Sequence, residues 1–416
     1  MPEMMPLIVF YLVTTVVKFV VLIFGLVLPL AALLTWMERR QSAYSQDRLG
    51  PWRAHFFTFR GRPVGAGGLL HVIADAIKMF FKEPFAPRTA DPMVYHLAPM
   101  VGFITALLVV AMLPFGPDIH TGWAAPWDVV PMQLVRLDAG LLWTLALGSL
   151  GVYGAALAGW SSNNRFALLG GLRASAQSIS YEIALGLTLV GVLIVAGTTE
   201  PAAIVAQQRG NLFFGLLPAW GIVVQPLAAV LFLVAAIAET KRAPFDLPEG
   251  ESEIIGYFVE YSSMGFGLFM LGEFIEVVVL AAMFTTLFLG GWQMPWLLGE
   301  ETLWLGFTVV SVGPWLRGAL GMGIFASKVF FLCALQLQIR WTLPRFRYDQ
   351  LMHLGWKILL PLALGNIFWT ALLVVWDPSL EYLSRASMAL VGAFVLVVVA
   401  GPPRPQPRLA TKEAIA

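Results

Sequence analysis

The side chains with the most chemical promise are carboxylates set inside or at the ends of long apolar runs. Glu182 sits in S-I-S-Y-E-I-A, Glu273 and Glu276 lie one turn apart, Glu239 ends an apolar run, and Glu38 closes the first. A carboxylate at the centre of a bilayer costs about 2.5–3.5 kcal/mol on insertion scales. Burial favours the neutral acid and moves its pKa up. A carboxyl tuned in this way can take up and release protons. The 22 residues from Glu239 to Glu260 concentrate the signal: they hold Glu239, Asp246, Glu249, Glu251, Glu253 and Glu260, opposed only by Lys241 and Arg242. Glu38 beside Arg39, or Glu239 near Lys241, could also be interfacial ion pairs that snorkel to the headgroups, the less favoured reading. Lys328, inside another apolar run, could be the counter-charge to one of these acids or a packing polar group with its own partner.

Other chemistries find little support. The single cysteine, Cys333, cannot hold an iron–sulfur cluster or a cysteine-based zinc site. His55, His71, His96, His120 and His353 are scattered without metal-ligand spacing. Gly321-Met-Gly-Ile-Phe-Ala326 matches a dinucleotide fingerprint, but that motif needs a preceding strand and this one falls within an apolar helix. No serine or cysteine nucleophile has a histidine at a telling spacing.

The elements that must position the acids are membrane spans. The chain is 58% hydrophobic and only 12% charged, against about 25% charged in soluble proteins. A core does not need so much apolar surface, so the solvent must be lipid. Net charge is +1, which gives no footprint for nucleic acid. Spans are expected near Leu7–Trp36, Leu97–Phe115, Ala139–Trp160, Ala174–Gly197, Phe214–Ala238, Ser263–Leu289, Gly318–Trp341 and Trp356–Trp376, with a ninth and shorter one at Ala386–Gly401. The first exceeds a signal h-region of about 7–15 residues and is read as a retained helix. The fold class is therefore an all-α polytopic membrane protein of eight to nine helices. Residues 1–376 form the membrane domain, and 377–416 form an extension with a Pro-rich tail.

With the N-terminus outside, most of the 26 Lys and Arg fall in cytoplasmic loops, and the outer loops keep only Arg136, Arg209, Arg317 and Arg385. The positive-inside rule prefers that orientation. From Gly68 to Lys82, the polar residues His71, Asp75, Lys78 and Lys82 share one helical face, while Leu70, Ile73, Ile77, Phe80 and Phe81 cover the other. Fifteen residues cannot span, so this helix should lie in the interface. Thr302–Val312 reads as a second short interfacial helix. Gly151, Ala155 and Gly159 form a small-residue stripe suited to close helix packing.

Several stretches resemble the H-type membrane subunit of bacterial respiratory NADH:quinone oxidoreductase (complex I), the counterpart of mitochondrial subunit 1. They include W-M-E-R-R at 36–40, I-A-D-A-I-K at 73–78, A-G-W-S-S-N at 158–163 and A-L-L-G-G-L-R at 167–173. Further on come S-Y-E at 180–182, R-A-P-F-D-L-P-E-G-E-S-E at 242–253, E-Y-S at 260–262 and R-W-T-L-P-R-F-R-Y-D-Q-L at 340–351. The resemblance runs from about Leu33 to Leu362 and fades from Asp377 onward.

The resemblance implies a non-redox membrane subunit that walls the quinone chamber at the junction with the hydrophilic arm. It also implies that the subunit starts a charge path toward antiporter-like subunits. Family-type residues then fall at Glu38, Arg39, Arg48, Asp75, Lys78, Arg173, Glu182, Glu239, Arg242, Asp246, Glu249, Glu251, Glu253, Glu260, Glu273 and Lys328. The substrate would be ubiquinone or menaquinone. NADH, FMN and iron–sulfur clusters would belong to hydrophilic-arm partners, and the chain alone would catalyse nothing. The expected site is the bacterial cell membrane, beside small membrane subunits and lipid. Two other readings stay open: the anchor of a membrane-bound hydrogenase, and a stand-alone ion-coupled transporter. The transporter reading would call for inverted repeats with paired broken helices, which this sequence does not display.

Overall fold

The computed structural model describes residues 4–51, 53–55, 57–59, 62–64, 66–123, 128–212, 217–248, 256–294, 302–304, 309–311, 313–377 and 380–400. Its helices in chain order are α1 (Met4–Leu22), α2 (Leu28–Ser45), α3 (Leu70–Phe81), α4 (Pro92–Val110), α5 (Gly140–Ser161), α6 (Arg165–Ala196) and α7 (Pro201–Gln207). Then come α8 (Gly221–Val224), α9 (Pro226–Glu239), α10 (Ser263–Phe288), α11 (Pro314–Thr342), α12 (Tyr348–His353), α13 (Leu360–Trp376) and α14 (Glu381–Ala400). The only strands among the described residues are four two-stranded ladders of two or three residues each. Among the described residues, seven helical stretches are long and apolar enough to cross a membrane, and Pro226–Glu239 is a shorter apolar helix. The chain is an all-α, multi-pass membrane protein.

The first crossing is one rod, α1 and α2 joined by a π-helical turn at Ile23–Val27. It runs nine residues beyond the expected end at Trp36, so Glu38 and Arg39 sit on a helix. Pro29 explains the wide turn, because it has no N–H to bond the carbonyl of Gly25. The same device recurs at Leu354–Leu359, just ahead of Pro361, where α12 joins α13.

The expected fifth span is a broken one. A short ladder pairs Asn211–Leu212 with Leu217–Pro218, and helix resumes only at α8 and α9. Gln225 and Pro226 make the break, and the Gln225 side chain ties it to the neighbouring helices by donating to Gly191 O of α6 at 3.0 Å and to Thr370 Oγ1 of α13 at 3.3 Å. The stretch expected to be helical at 302–312 is also different: Thr302–Trp304 pairs with Val309–Ser311 as two strands. Val309, Val310 and Thr302 suit a pleated ladder better than helical turns.

The second span starts five residues earlier than hydropathy suggests, because the Asp91 carboxylate caps Met93 and Val94 N–H and Pro92 fits the first turn. The fourth begins at Arg165 behind an Asn164 cap and ends at Gly197, whose φ of +62° closes the helix. Glu182 consequently lies mid-helix.

α10 is the axis of the bundle. It packs against α2, α3, α4, α9 and α11, and its stretch from Val277 to Phe288 is wholly buried. Close crossings surround it. A Cβ at Gly159 would lie 2.5 Å from Ala167 O on α6, and one at Gly154 would lie 3.0 Å from the Gly102 backbone on α4. Gly151 similarly approaches Thr105 Oγ1, so the small-residue stripe of α5 is a packing seam.

α3 has no buried residue. Its Ile73, Ile77, Phe80 and Phe81 are all more than half exposed, whereas Asp75 and His71 turn toward the bundle. This is the arrangement of a helix lying along the membrane surface. α14 packs on α8, α9 and α13.

Candidate functional site

Two of the cavities beside α10 bring the candidate acids together. The outer one has a volume of about 590 Å³ and is walled by α2, the segment after it, α3, the loop from Arg242 to Asp246, α10 and the end of α11. Its charged lining is Glu38, Arg39, Arg48, Arg242, Asp246, Glu273 and Arg340, with His71. Phe258, Phe266, Phe269, Phe274 and Trp341 supply flat apolar faces between the charges. Such a surface suits a planar ring that carries polar oxygens.

Glu38 organises this wall. Its Oε2 pairs with Arg242 at 2.8 Å, and its Oε1 pairs closely with Arg340. Arg242 also stacks on Phe274, 3.9 Å from the ring centroid. Next to this triad, Arg39 pairs with Asp75 of α3 at 2.5 Å. Arg48 remains at the rim, bonded to Gln46 at 2.6 Å.

The loop that carries Arg242 and Asp246 is fixed from below. Gln177 of α6 donates to Ala238 O at 2.8 Å and to Phe245 O at 2.9 Å. Phe245 is buried and stacks on Phe346, with the Phe346 N–H bonded to Pro244 O. Asp246 is thereby brought to Arg345, at 3.0 Å, while its other carboxyl oxygen is buried without a hydrogen-bond partner among the described residues.

Asp246 lies outside the spanning helices. Burial pushes its carboxyl up to about 6, against the opposing pull of Arg345 and Arg340. Folding therefore favours the protonated form. The stability it contributes is complete below the unfolded value of about 3.9 and is lost as pH rises through the folded value. Asp246→Asn stays neutral throughout. It should be more stable than the parent by roughly 2–3 kcal/mol at neutral pH, the gap closing below about pH 4. Thermal unfolding in detergent across that range checks this, and a gap independent of pH would overturn it.

The inner cavity is smaller, about 100 Å³, and gathers acids from three helices: Glu182 from α6, Glu239 from α9, and Glu273 and Glu276 from α10. Lys241 is the one cation in its described lining. Glu239 and Glu276 interact electrostatically with Lys241 and with Glu182. Glu182 also accepts a close hydrogen bond from Ser149 of α5. Glu273 and Phe269 line both cavities, so the two spaces meet at this point of α10.

The remaining residues singled out from sequence lie elsewhere. Glu260 accepts from Asn164 at 2.6 Å and lines neither cavity. The Arg173 guanidinium lies 5.5 Å from the Tyr348 ring centroid. Lys78 is exposed on α3, at a separate hollow that it shares with Lys82. Lys328 does not meet the acids. Its ammonium donates to the carbonyls of Leu289, Gly291 and Gln293 at 2.7, 2.9 and 2.7 Å and sits over Trp220, which holds the chain at the far end of α10. Glu249, Glu251 and Glu253 lie outside the described residues. No three His, Cys, Asp or Glu among the described residues are disposed to hold a metal ion.

The chain matches the family model for NADH dehydrogenase over residues 17–371. The chain belongs to that family. It is 45% identical over 352 residues to H-type subunit 1 of the NADH-quinone oxidoreductase of Geobacter metallireducens, a match covering 84% of this chain and 94% of that protein. The H-type subunit of the Thermomicrobium roseum NADH-quinone oxidoreductase is 44% identical over 368 residues, covering 88% and 97% respectively. That of Flavobacterium psychrophilum is 40% identical over 354 residues, covering 85% and 95%. All of α14 and the tail fall beyond the family match, as does the end of α13.

In this member of the NADH dehydrogenase family, Arg340 and Tyr257 are contributors that the sequence did not single out. Arg340 stood inside a quoted motif, but only the fold shows that it meets Glu38. Glu276 carried no pattern beyond its depth, yet it lines the inner cavity. Tyr257 gave no signal, and its hydroxyl donates to Glu273 at 2.7 Å. Lys18 is a lone charge in the first apolar run and could have been flagged. It is buried and donates to Gln133 O at 3.0 Å, away from both cavities.

Proposed function

We propose that this chain is the quinone-site membrane subunit of a proton-translocating NADH:quinone oxidoreductase. In this reading the outer cavity receives the quinone headgroup and the inner cavity begins the proton route. The observation that carries it is that Glu273 lines both spaces, with an aromatic, arginine-rich face on one side and a cluster of carboxyls on the other.

Full reduction of a quinone needs two electrons and two protons, and it builds negative charge on the two ring oxygens. Arg39, Arg242 and Arg340 put guanidinium donors where that charge would develop. Electrons would come from cofactors of the partner subunits, since this chain offers one thiol and that thiol is buried. Protons would be drawn through groups that can exchange them, and Glu273 is placed to pass the demand inward to Glu182, Glu239 and Glu276. The flat rings of Phe266, Phe269 and Phe274 fit the headgroup, and the apolar outer face of α3 gives a long isoprenoid tail a lipid-side surface.

Glu182→Gln and Glu273→Gln in the intact enzyme test the reading. Each should assemble, yet lower the protons translocated per NADH oxidised by roughly tenfold or more, the scale of a lost acid–base group. Proteoliposomes with a pH-sensitive dye give the ratio directly. Normal quinone reduction together with normal pumping in both variants would reject the proposal.

A further inference from the structure

Tyr257 lies on the segment that enters α10, and it is buried to 2% exposure. Its hydroxyl donates to Glu273 Oε1 at 2.7 Å. Glu273 faces both cavities, but Tyr257 lines only the inner one. One carboxyl oxygen of Glu273 is thus held on the inner side.

The tyrosine has little freedom to follow if that carboxyl swings. Its ring meets Phe258 edge-on at 5.0 Å and Phe269 edge-on at 5.5 Å. Its backbone is pressed against α6, where a Cβ at Gly170 would come within 2.9 Å of Tyr257 N. Helix α6 and the aromatic pair fix the ring, and the ring fixes the hydroxyl. A glutamate has three rotatable side-chain bonds and several staggered positions open to it. A rigid donor on one side selects among them.

We propose that Tyr257 is the positioning residue that aims Glu273 out of the outer cavity and into the inner one. The inference rests on the reading of the two cavities as a quinone chamber and a proton route. It adds that the direction of the glutamate at their junction is set by one phenol.

The test compares Tyr257→Phe, Glu273→Gln and the parent in the intact, reconstituted enzyme. Tyr257→Phe removes only the hydroxyl. It should lower the protons moved per NADH oxidised by about fivefold, the effect of one hydrogen bond. Redox-induced infrared difference spectra supply a readout that packing alone would not move. The carboxyl stretch of Glu273, identified by its loss in Glu273→Gln, should shift when the hydroxyl is removed. It should shift the opposite way when 2,3,5-trifluorotyrosine, a stronger donor, replaces Tyr257. That second variant keeps the ring and the hydroxyl, and it carries the test if Tyr257→Phe does not assemble. An unmoved carboxyl band in the variants that assemble, with an unchanged proton ratio, overturns the role of Tyr257. If Glu273→Gln also pumps normally, the proton-route reading fails instead.

Discussion

Replacing Glu38 with Gln should lower NADH:quinone turnover of the assembled enzyme by roughly 100-fold, corresponding to about 3 kcal/mol. Each Glu38 oxygen is committed to a different arginine, Oε2 to Arg242 and Oε1 to Arg340. The three side chains are only 18%, 15% and 26% exposed, so solvent screens them weakly. Removing the anion takes from both guanidiniums the charge that separates and orients them, and deleting one partner of a part-buried ion pair is costly. Arg242 cannot simply swing away, because it is also seated on Phe274. The expected failure is therefore geometric: the donors that should face the reduced quinone no longer converge. Glu38→Asp keeps the charge but is one methylene shorter, and it should lose less. Turnover with a soluble quinone, measured beside native-gel assembly, checks both variants. Parent-like turnover of fully assembled Glu38→Gln would remove Glu38 from the site.

Part of this arrangement could be read along the chain, and part could not. α10 and α11 follow their apolar runs within a few residues, because an uninterrupted run leaves hydropathy nothing to misjudge. The surface position of α3 follows from two clean faces, and the structure keeps Ile73, Ile77, Phe80 and Phe81 outward. The broken fifth crossing was hidden because a hydropathy window averages over Gln225–Pro226, where the backbone loses a donor and the Gln225 side chain turns to Gly191 O of α6. Strand pairing at 302–312 was hidden for a related reason, since a short apolar run carries no period that distinguishes a ladder from a helical turn. At the site, composition identified which acids are expensive. It could not say which cation serves each, since Arg242 and Glu38 are 204 positions apart. Lys328 shows the converse. It resembles a counter-ion in sequence, yet its charge is taken by three backbone carbonyls of one loop.

Lys241→Met should uncouple the enzyme, with proton translocation falling by roughly tenfold or more while assembly is retained, since a few kcal/mol of Coulomb energy is at stake. The inner cavity gathers Glu182, Glu239, Glu273 and Glu276 around a single described cation. Any negative charge moving among these carboxyls is stabilised by that ammonium, in surroundings where the effective dielectric is far below that of water. The backbone supports the same conclusion. Lys241 has φ of +53°, a left-handed conformation that a lysine seldom adopts, and its side chain is buried. The turn out of α9 thus accepts strain and directs the charged end into the cluster rather than out to the membrane surface. Methionine preserves the length and apolar stem of lysine and deletes only the charge, so packing is a poor explanation for any loss. Lys241→Arg restores the charge with a bulkier head and should recover part of the coupling. The decisive quantity is again the ratio of protons moved to NADH oxidised. If Lys241→Met keeps the parent ratio, the acids do not depend on Lys241, and the inner cavity must be stabilised by Arg242, which also acts on Glu276, by water or by a neighbouring subunit.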